Sequence, residues 1–252
     1  MGQSYSLDNY INQKLFLPPE RSNTEFYSVE KENIKLFTIN GVQGIRVVPN
    51  IKCDHKTIKT LIISNSTCAD ICSMATYLEY LSNELNICCI SYDYPGYGID
   101  NNIPNEQGCY DNHQIIVNYV INHLNILQKN IILMGISLGT GIVVDYVSKR
   151  SWNSPVILIC PFKSVCTIMY DILLVKLIDK FRSVDKICNA TCPIKIFHGI
   201  EDDFVDISHA KMLFENMKNK SLQPTWVTDA DHANILEKIT IKQLAPIIHY
   251  NN

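Results

Sequence analysis

The chain has 252 residues, 46% of them hydrophobic, a formal net charge of −3 and ten cysteines. Such a length and apolar content suffice for one buried core, while the mild acidity and the lack of a dense Lys/Arg cluster argue against a nucleic-acid partner. No run reaches the roughly 18 apolar residues of a membrane span, and the scattered cysteines, some inside apolar runs such as Ile87-Cys88-Cys89-Ile90, read as reduced thiols of a cytoplasmic protein, with no metal site.

Residues 1–24 read as an N-terminal extension and 25–252 as a single domain. Within the extension, Gly2 and Ser6 fit the M-G-x-x-x-S/T pattern for N-myristoylation. One such chain gives only weak, peripheral membrane association, and no polybasic segment or early cysteine reinforces it, Cys53 being the first thiol. Glu25–Val29, Asn33–Ile39 and Gln43–Val48 are short β-prone runs, and Asn40-Gly41 is a hairpin signal between the last two. From Ile58 onward apolar strand-length runs alternate with amphipathic segments, the pattern of βαβ units. The strands expected are Lys59–Ser64, Ile87–Asp93, Asn130–Ile136, Val156–Cys160, Pro193–His198 and Thr225–Thr228. Between them fall helices over Ile71–Leu85, Asn112–Leu124, Leu138–Lys149, Thr167–Phe181, Ser208–Met217 and Ile235–Ile248, the first capped by Asp70. The fold class is therefore α/β, with a mostly parallel central sheet, helices on both faces and antiparallel N-terminal strands. About thirty residues separate Cys160 from Pro193, too few for a large lid domain.

Gly135-Ile136-Ser137-Leu138-Gly139 follows an apolar strand and opens a helix, which is the context a G-x-S-x-G nucleophile elbow requires. A serine on so tight a turn sits in a strained conformation, and small neighbours two positions away on either side avoid a clash. The Leu138 amide, first in the helix, would face an oxyanion beside the serine. Serine needs a base and an orienting acid, which in this arrangement come in the chain order Ser, Asp/Glu, His. The loop after the Pro193–His198 strand carries Glu201, Asp202, Asp203 and Asp206, and spacing alone leaves the choice among them open. His232, in the polar loop Asp229–Asn234, is the candidate base, whereas the other histidines read as structural or surface groups.

Phe16-Leu17-Pro18-Pro19, Ser91-Tyr92-Asp93-Tyr94-Pro95-Gly96-Tyr97-Gly98, the elbow within Asn130–Thr140, and His198–His209 are four further marks. Together they resemble the alpha/beta-hydrolase domain-containing protein 17 group, eukaryotic serine hydrolases that include protein depalmitoylases. The resemblance implies the α/β-hydrolase fold, places the acid of H-G-x-x-D-x-x-V on Asp202, and places the family's histidine on His232. It also implies hydrolysis of an acyl ester or thioester without a cofactor, a palmitoylated protein being one such substrate and a small ester another. Two departures stand out. The family's H-G-N, whose backbone helps to bind the oxyanion, is replaced by Asn65-Ser66-Thr67, so that the amides of Ser66 or Thr67 would have to serve; and the N-terminal cysteine cluster is missing. Tyr94, Tyr97 and Phe162 near the expected mouth would suit an acyl chain or equally pack as core. Three alternatives accompany this reading: a catalytically silent binding module, a peptidase or lipase of the same fold, and a thiol enzyme using Cys68 or Cys109. Oligomeric state leaves no trace in the sequence.

Overall fold

The computed structural model describes residues 7–20, 25–28, 32–51, 57–169 and 179–250. Eight strands form one sheet in the order β1-β2-β4-β3-β5-β6-β7-β8. They are β1 (Ile34–Ile39), β2 (Val42–Val47), β3 (Thr60–Ser64), β4 (Cys88–Tyr92), β5 (Ile131–Ile136), β6 (Val156–Ile159), β7 (Ile194–Gly199) and β8 (Thr225–Val227). The first two strands pair antiparallel, β2 lies antiparallel on β4, and every other pairing is parallel. The β1–β2 turn places both Asn40 (φ 50) and Gly41 (φ 85) in the left-handed region, as the two-residue hairpin geometry matched to strand twist demands.

Side chains alternate across the sheet with the period of two that a strand imposes. Ile62, Ile90, Leu133, Leu158 and Ile196 enter one core. Leu61, Ile63, Cys89, Ile132 and Ile157 enter the other. The first face is covered by α3 (Glu106–Asn122) and α4 (Leu138–Ser148), the second by α2 (Ile71–Leu85) and α9 (Ile241–Ile248). The α2 N-terminus is held by a capping box in which Asp70 Oδ1 accepts from the Ser73 amide at 2.8 Å and Ser73 Oγ accepts from the Asp70 amide at 3.0 Å. Asp93, at the end of β4, adds a second cap: its carboxylate accepts from the Ile71 amide (2.9 Å) and the Tyr27 hydroxyl (2.8 Å). Burial pushes the Asp93 carboxyl up to about 7 despite these donors.

Four local expectations change. The run expected as a strand over Glu25–Val29 contains a single 3₁₀ turn at Phe26–Ser28, tied down by the Tyr27 hydroxyl bond, while Val29 lies outside the described residues. The helix expected over Asn112–Leu124 begins at Glu106, because Asn105 Oδ1 accepts from the Gly108 amide at 2.8 Å and starts it early. Of the helix expected over Thr167–Phe181, the described part is α5 (Val165–Met169), and Phe181 is no longer helical. The helix expected over Ile235–Ile248 is two, α8 (Ile235–Lys238) and α9, because a second capping box between Thr240 and Gln243 starts a new helix. The remaining helices are α6 (Ser183–Lys186) and α7 (Ser208–Asn216).

The N-terminal segment is more than an extension. Residues Leu7–Leu15 form α1, and Ile11 and Phe16 are buried in the α3/α4-side core. Gly2 and Ser6 of the acylation pattern lie outside the described residues. Among the described residues, no helix is long and apolar enough to cross a membrane.

Candidate active site

The elbow is built by close approach. β5 ends at Ile136, α4 begins at Leu138, and Ser137 between them has φ 49 and ψ −113, a conformation that costs of order 1–3 kcal/mol for a residue bearing a Cβ. A Cβ on Gly135 would lie 2.5 Å from the Gly139 carbonyl oxygen, and one on Gly139 would overlap the Ser64 carbonyl. Both glycines are thus required by packing against the turn and against the end of β3. The Ser137 amide donates to the Ile159 carbonyl at 2.9 Å, fixing the elbow to β6.

The three chain-distant polar residues meet at the carboxyl ends of the strands, where parallel sheets present their loops. Ser137 Oγ lies 2.9 Å from His232 Nε2, and His232 Nδ1 lies 2.8 Å from Asp202 Oδ2. With Nδ1 protonated and donating to the carboxylate, Nε2 is left as an acceptor for the serine hydroxyl. The other carboxylate oxygen of Asp202 accepts from the amides of Val205 (2.8 Å) and Phe204 (3.2 Å). Burial alone would raise the Asp202 carboxyl, but the hydrogen bonds from His232 and from the Val205 amide outweigh it, so it is held below the usual carboxylate range. It is therefore a carboxylate at neutral pH.

The geometry separates Asp202 from its neighbours. Glu201 and Asp203 are exposed, and Asp206 instead accepts from the Ser208 amide at 2.8 Å as the start of α7. His198 lies buried behind the acid, its Nε2 2.7 Å from the Val205 carbonyl and 3.4 Å from Asp202 Oδ2. It braces the acid turn and does not face Ser137's pocket. Phe204 packs its ring against that of His232, with centroids 5.0 Å apart and planes tilted by 59°.

Beside Ser137 opens a pocket of about 170 Å³ with apolar walls from Leu15, Leu17, Phe162, Val165, Ile168 and Phe204. Thr67 and Leu138 border the same space, whereas Ser66 does not. Among the described residues, no group accepts a hydrogen bond from the Leu138 or Thr67 amides. Of the three aromatic residues expected at the mouth, Phe162 lines the pocket, but Tyr94 and Tyr97 do not. Both rings are buried beneath the Asn65–Thr67 loop, where their hydroxyls donate to loop carbonyls. The sequence reasoning missed Lys14, Leu15, Leu17, Val165, Ile168 and Phe204. For Leu15 the sequence does hold a signal: Leu7, Ile11 and Leu15 recur every four residues, a helical stripe within the segment read as an N-terminal extension.

Cys109 is fully buried, and burial pushes its thiol well above the ordinary range, so it cannot act as a nucleophile in the described fold. Cys68 is exposed, with its sulfur beside Ser66 Oγ, and no described histidine bonds to it. The donor atoms of Cys160, Asp202 and His232 lie within 4.8 Å of one another and could in principle gather around a metal. The His232 and Asp202 atoms, however, are already 2.8 Å apart, tighter than the roughly 3.3 Å that bonds of about 2.0 Å at tetrahedral angles would leave between two zinc ligands. The 2.8 Å separation is that of a hydrogen bond and suits proton transfer between the two groups.

No family model matches the chain. A protein of Acanthamoeba polyphaga mimivirus named as an alpha/beta hydrolase is 38% identical over 249 residues, covering 97% of this chain and 95% of that one. Human alpha/beta hydrolase domain-containing protein 17B is 30% identical over 218 residues, covering 86% of this chain and 75% of its own length. Among solved structures, an alpha-beta serine hydrolase homologue from Coxiella burnetii superposes with a TM-score of 0.64 at 16% identity, over 86% of this chain and 97% of the other. An esterase from Pyrococcus furiosus gives the same score and identity over 88% and 89%. Those two likenesses carry the fold, and the two closer sequences carry the kinship: the chain belongs to the α/β-hydrolase family and is a relative of its domain-containing protein 17 members.

Proposed function

We propose that the protein is a serine hydrolase that cleaves acyl esters or thioesters through an acyl-enzyme. The observation that carries this reading is the continuous relay from Ser137 Oγ through His232 to Asp202, at 2.9 and 2.8 Å, opening onto an apolar pocket. Ser137 attacks the acyl carbonyl while His232 Nε2 takes its proton, and Asp202 holds the ring and offsets the charge of the imidazolium. The carbonyl oxygen, now negative, accepts from the Leu138 amide at the positive end of α4 and from the Thr67 amide across the pocket. His232 returns the proton to the leaving alcohol or thiol. Water, activated by the same histidine, then releases the acid from Ser137.

The apolar walls favour an acyl chain over a polar acid component. A long-chain thioester, including a palmitoylated protein, fits both these walls and the resemblance to the domain-containing protein 17 group. The site of action proposed is cytoplasmic, with weak membrane attachment through an acylated Gly2; incorporation of a myristate analogue by the wild type and not by Gly2→Ala tests the latter. The replacement of H-G-N by Asn65-Ser66-Thr67 is what a catalytically silent module of this fold would explain. Steady-state hydrolysis of p-nitrophenyl and thioester acyl substrates by the wild type, Ser137→Ala and His232→Ala decides between the two. Turnover in the wild type that both variants lose supports the hydrolase; a folded wild type with no turnover favours the silent module.

A further inference from the structure

Tyr94 and Tyr97 have no place in the acyl pocket, yet both are buried and both end on the same short loop. The Tyr94 hydroxyl donates to the Asn65 carbonyl at 2.6 Å, and the Tyr97 hydroxyl donates to the Thr67 carbonyl at 2.7 Å. The two rings pack edge to face with centroids 5.4 Å apart, so they brace each other as a unit. From the other side the Gly139 amide donates to the Asn65 carbonyl at 3.1 Å, tying the loop to the elbow itself. The Thr67 hydroxyl donates to the Leu15 carbonyl at the end of α1. These bonds engage both flanking carbonyls and the threonine hydroxyl, and among the described residues they leave the Thr67 amide without an acceptor, at the edge of the pocket that Ser137 also lines.

We propose that Tyr94 and Tyr97 are positioning residues that hold the Asn65-Ser66-Thr67 loop so that the Thr67 amide faces the oxyanion formed at Ser137. This deepens the serine-hydrolase reading and rests on it. A loop lacking glycine cannot rely on a pre-set tight turn to aim its amides, and hydroxyl tethers on both flanking carbonyls supply that constraint from outside. The tethers contact neither the substrate nor the reacting atoms. Their loss should therefore be felt where negative charge develops, in kcat, more than in the binding of the apolar chain.

Tyr92 provides an internal control. It is fully buried in the same cluster, but its hydroxyl goes to Ser64 Oγ (2.7 Å) and His113 Nδ1 (3.0 Å), away from the loop's carbonyls. The experiment measures p-nitrophenyl butyrate kinetics and thermal midpoints for the wild type, Tyr92→Phe, Tyr94→Phe and Tyr97→Phe. Tyr97→Phe and Tyr94→Phe should each lose about 10- to 100-fold in kcat, a fraction of what removal of a whole oxyanion donor costs, with KM within about 2-fold. Tyr92→Phe should lower the midpoint by a similar amount and keep kcat. If Tyr94→Phe fails to fold, Tyr97→Phe carries the test alone. Variants at 94 and 97 that lose stability and keep kcat, as Tyr92→Phe does, overturn the proposal while leaving the hydrolase reading intact. A folded wild type without turnover overturns both.

Discussion

The apolar pocket beside Ser137 makes a quantitative demand on acyl-chain length. A methylene moved fully from water into an apolar site gains about 0.8 kcal/mol. The pocket is open on one side, because Leu17 is 53% and Phe204 59% exposed while Phe162 is buried. About half of each methylene's surface is then removed from water, about 0.4 kcal/mol or a factor of about 2 in kcat/KM per carbon. From acetate to octanoate, six methylenes should raise kcat/KM by about 60-fold before the pocket fills and the series levels off. Leu17→Asp places a carboxylate in the wall at a position exposed enough to cost the fold little. It should flatten the slope without changing kcat on the acetate. The assay is initial-rate hydrolysis of p-nitrophenyl esters from two to twelve acyl carbons, for the wild type and the variant, with thermal midpoints alongside. A wild-type series that is flat, or that Leu17→Asp leaves as steep as before, would refute the assignment of the pocket to the acyl chain.

Asp202→Asn removes the charge that balances the imidazolium and lets His232 settle in the wrong tautomer, so kcat should fall by about 10³- to 10⁴-fold with the fold retained, as single-turnover kinetics and circular dichroism would show. Gly139→Ala should yield protein that is insoluble or melts well below the wild type, since its Cβ would overlap the Ser64 carbonyl and backbone on both sides must move; solubility and the thermal midpoint report it. Burial lowers the His113 imidazole to about 3, so the native state resists protonation that the unfolded chain accepts near 6.5. The stability it lends is present above pH 6.5 and lost as pH falls toward 3, about 2 kcal/mol by pH 5. Asp93 acts in the opposite sense: its carboxyl, raised to about 7, is protonated in the native state first, so its contribution grows as pH falls from 7 toward 4. The two partly cancel in the wild type. Urea unfolding of His113→Asn beside the wild type at pH 7 and pH 5 should therefore show a difference between the two proteins that shrinks by about 2 kcal/mol on acidification; an unchanged difference would count against a neutral buried imidazole.

Periodicity exposed most of the sheet, because its inner strands are buried on both faces and read as unbroken apolar runs, as in Ile131–Ile136 and Val156–Ile159. The elbow was legible for a similar reason: a strand, a strained serine and two crowded glycines leave a fixed local spacing. His232 and Asp202 were readable only with chain order and family resemblance added, since a carboxylate among Glu201, Asp202, Asp203 and Asp206 is selected by which oxygen reaches an imidazole thirty residues away. The pocket was largely hidden. Its walls come from α1, from the segment after β6 and from the acid loop, and nothing local to Leu17 or Ile168 says that they converge on Ser137. The tyrosines of the Ser91–Gly98 segment show the same limit: their motif was noticed, but which way the hydroxyls point depends on a loop thirty residues upstream.

The central claim, that Ser137 is an activated nucleophile, is tested most directly by labelling the folded protein with a fluorophosphonate and locating the adduct by peptide mass. The account predicts one adduct, on Ser137, lost in Ser137→Ala and strongly slowed in His232→Ala. Correctly folded wild-type protein that takes no label, or that takes it equally well after Ser137→Ala, would contradict it.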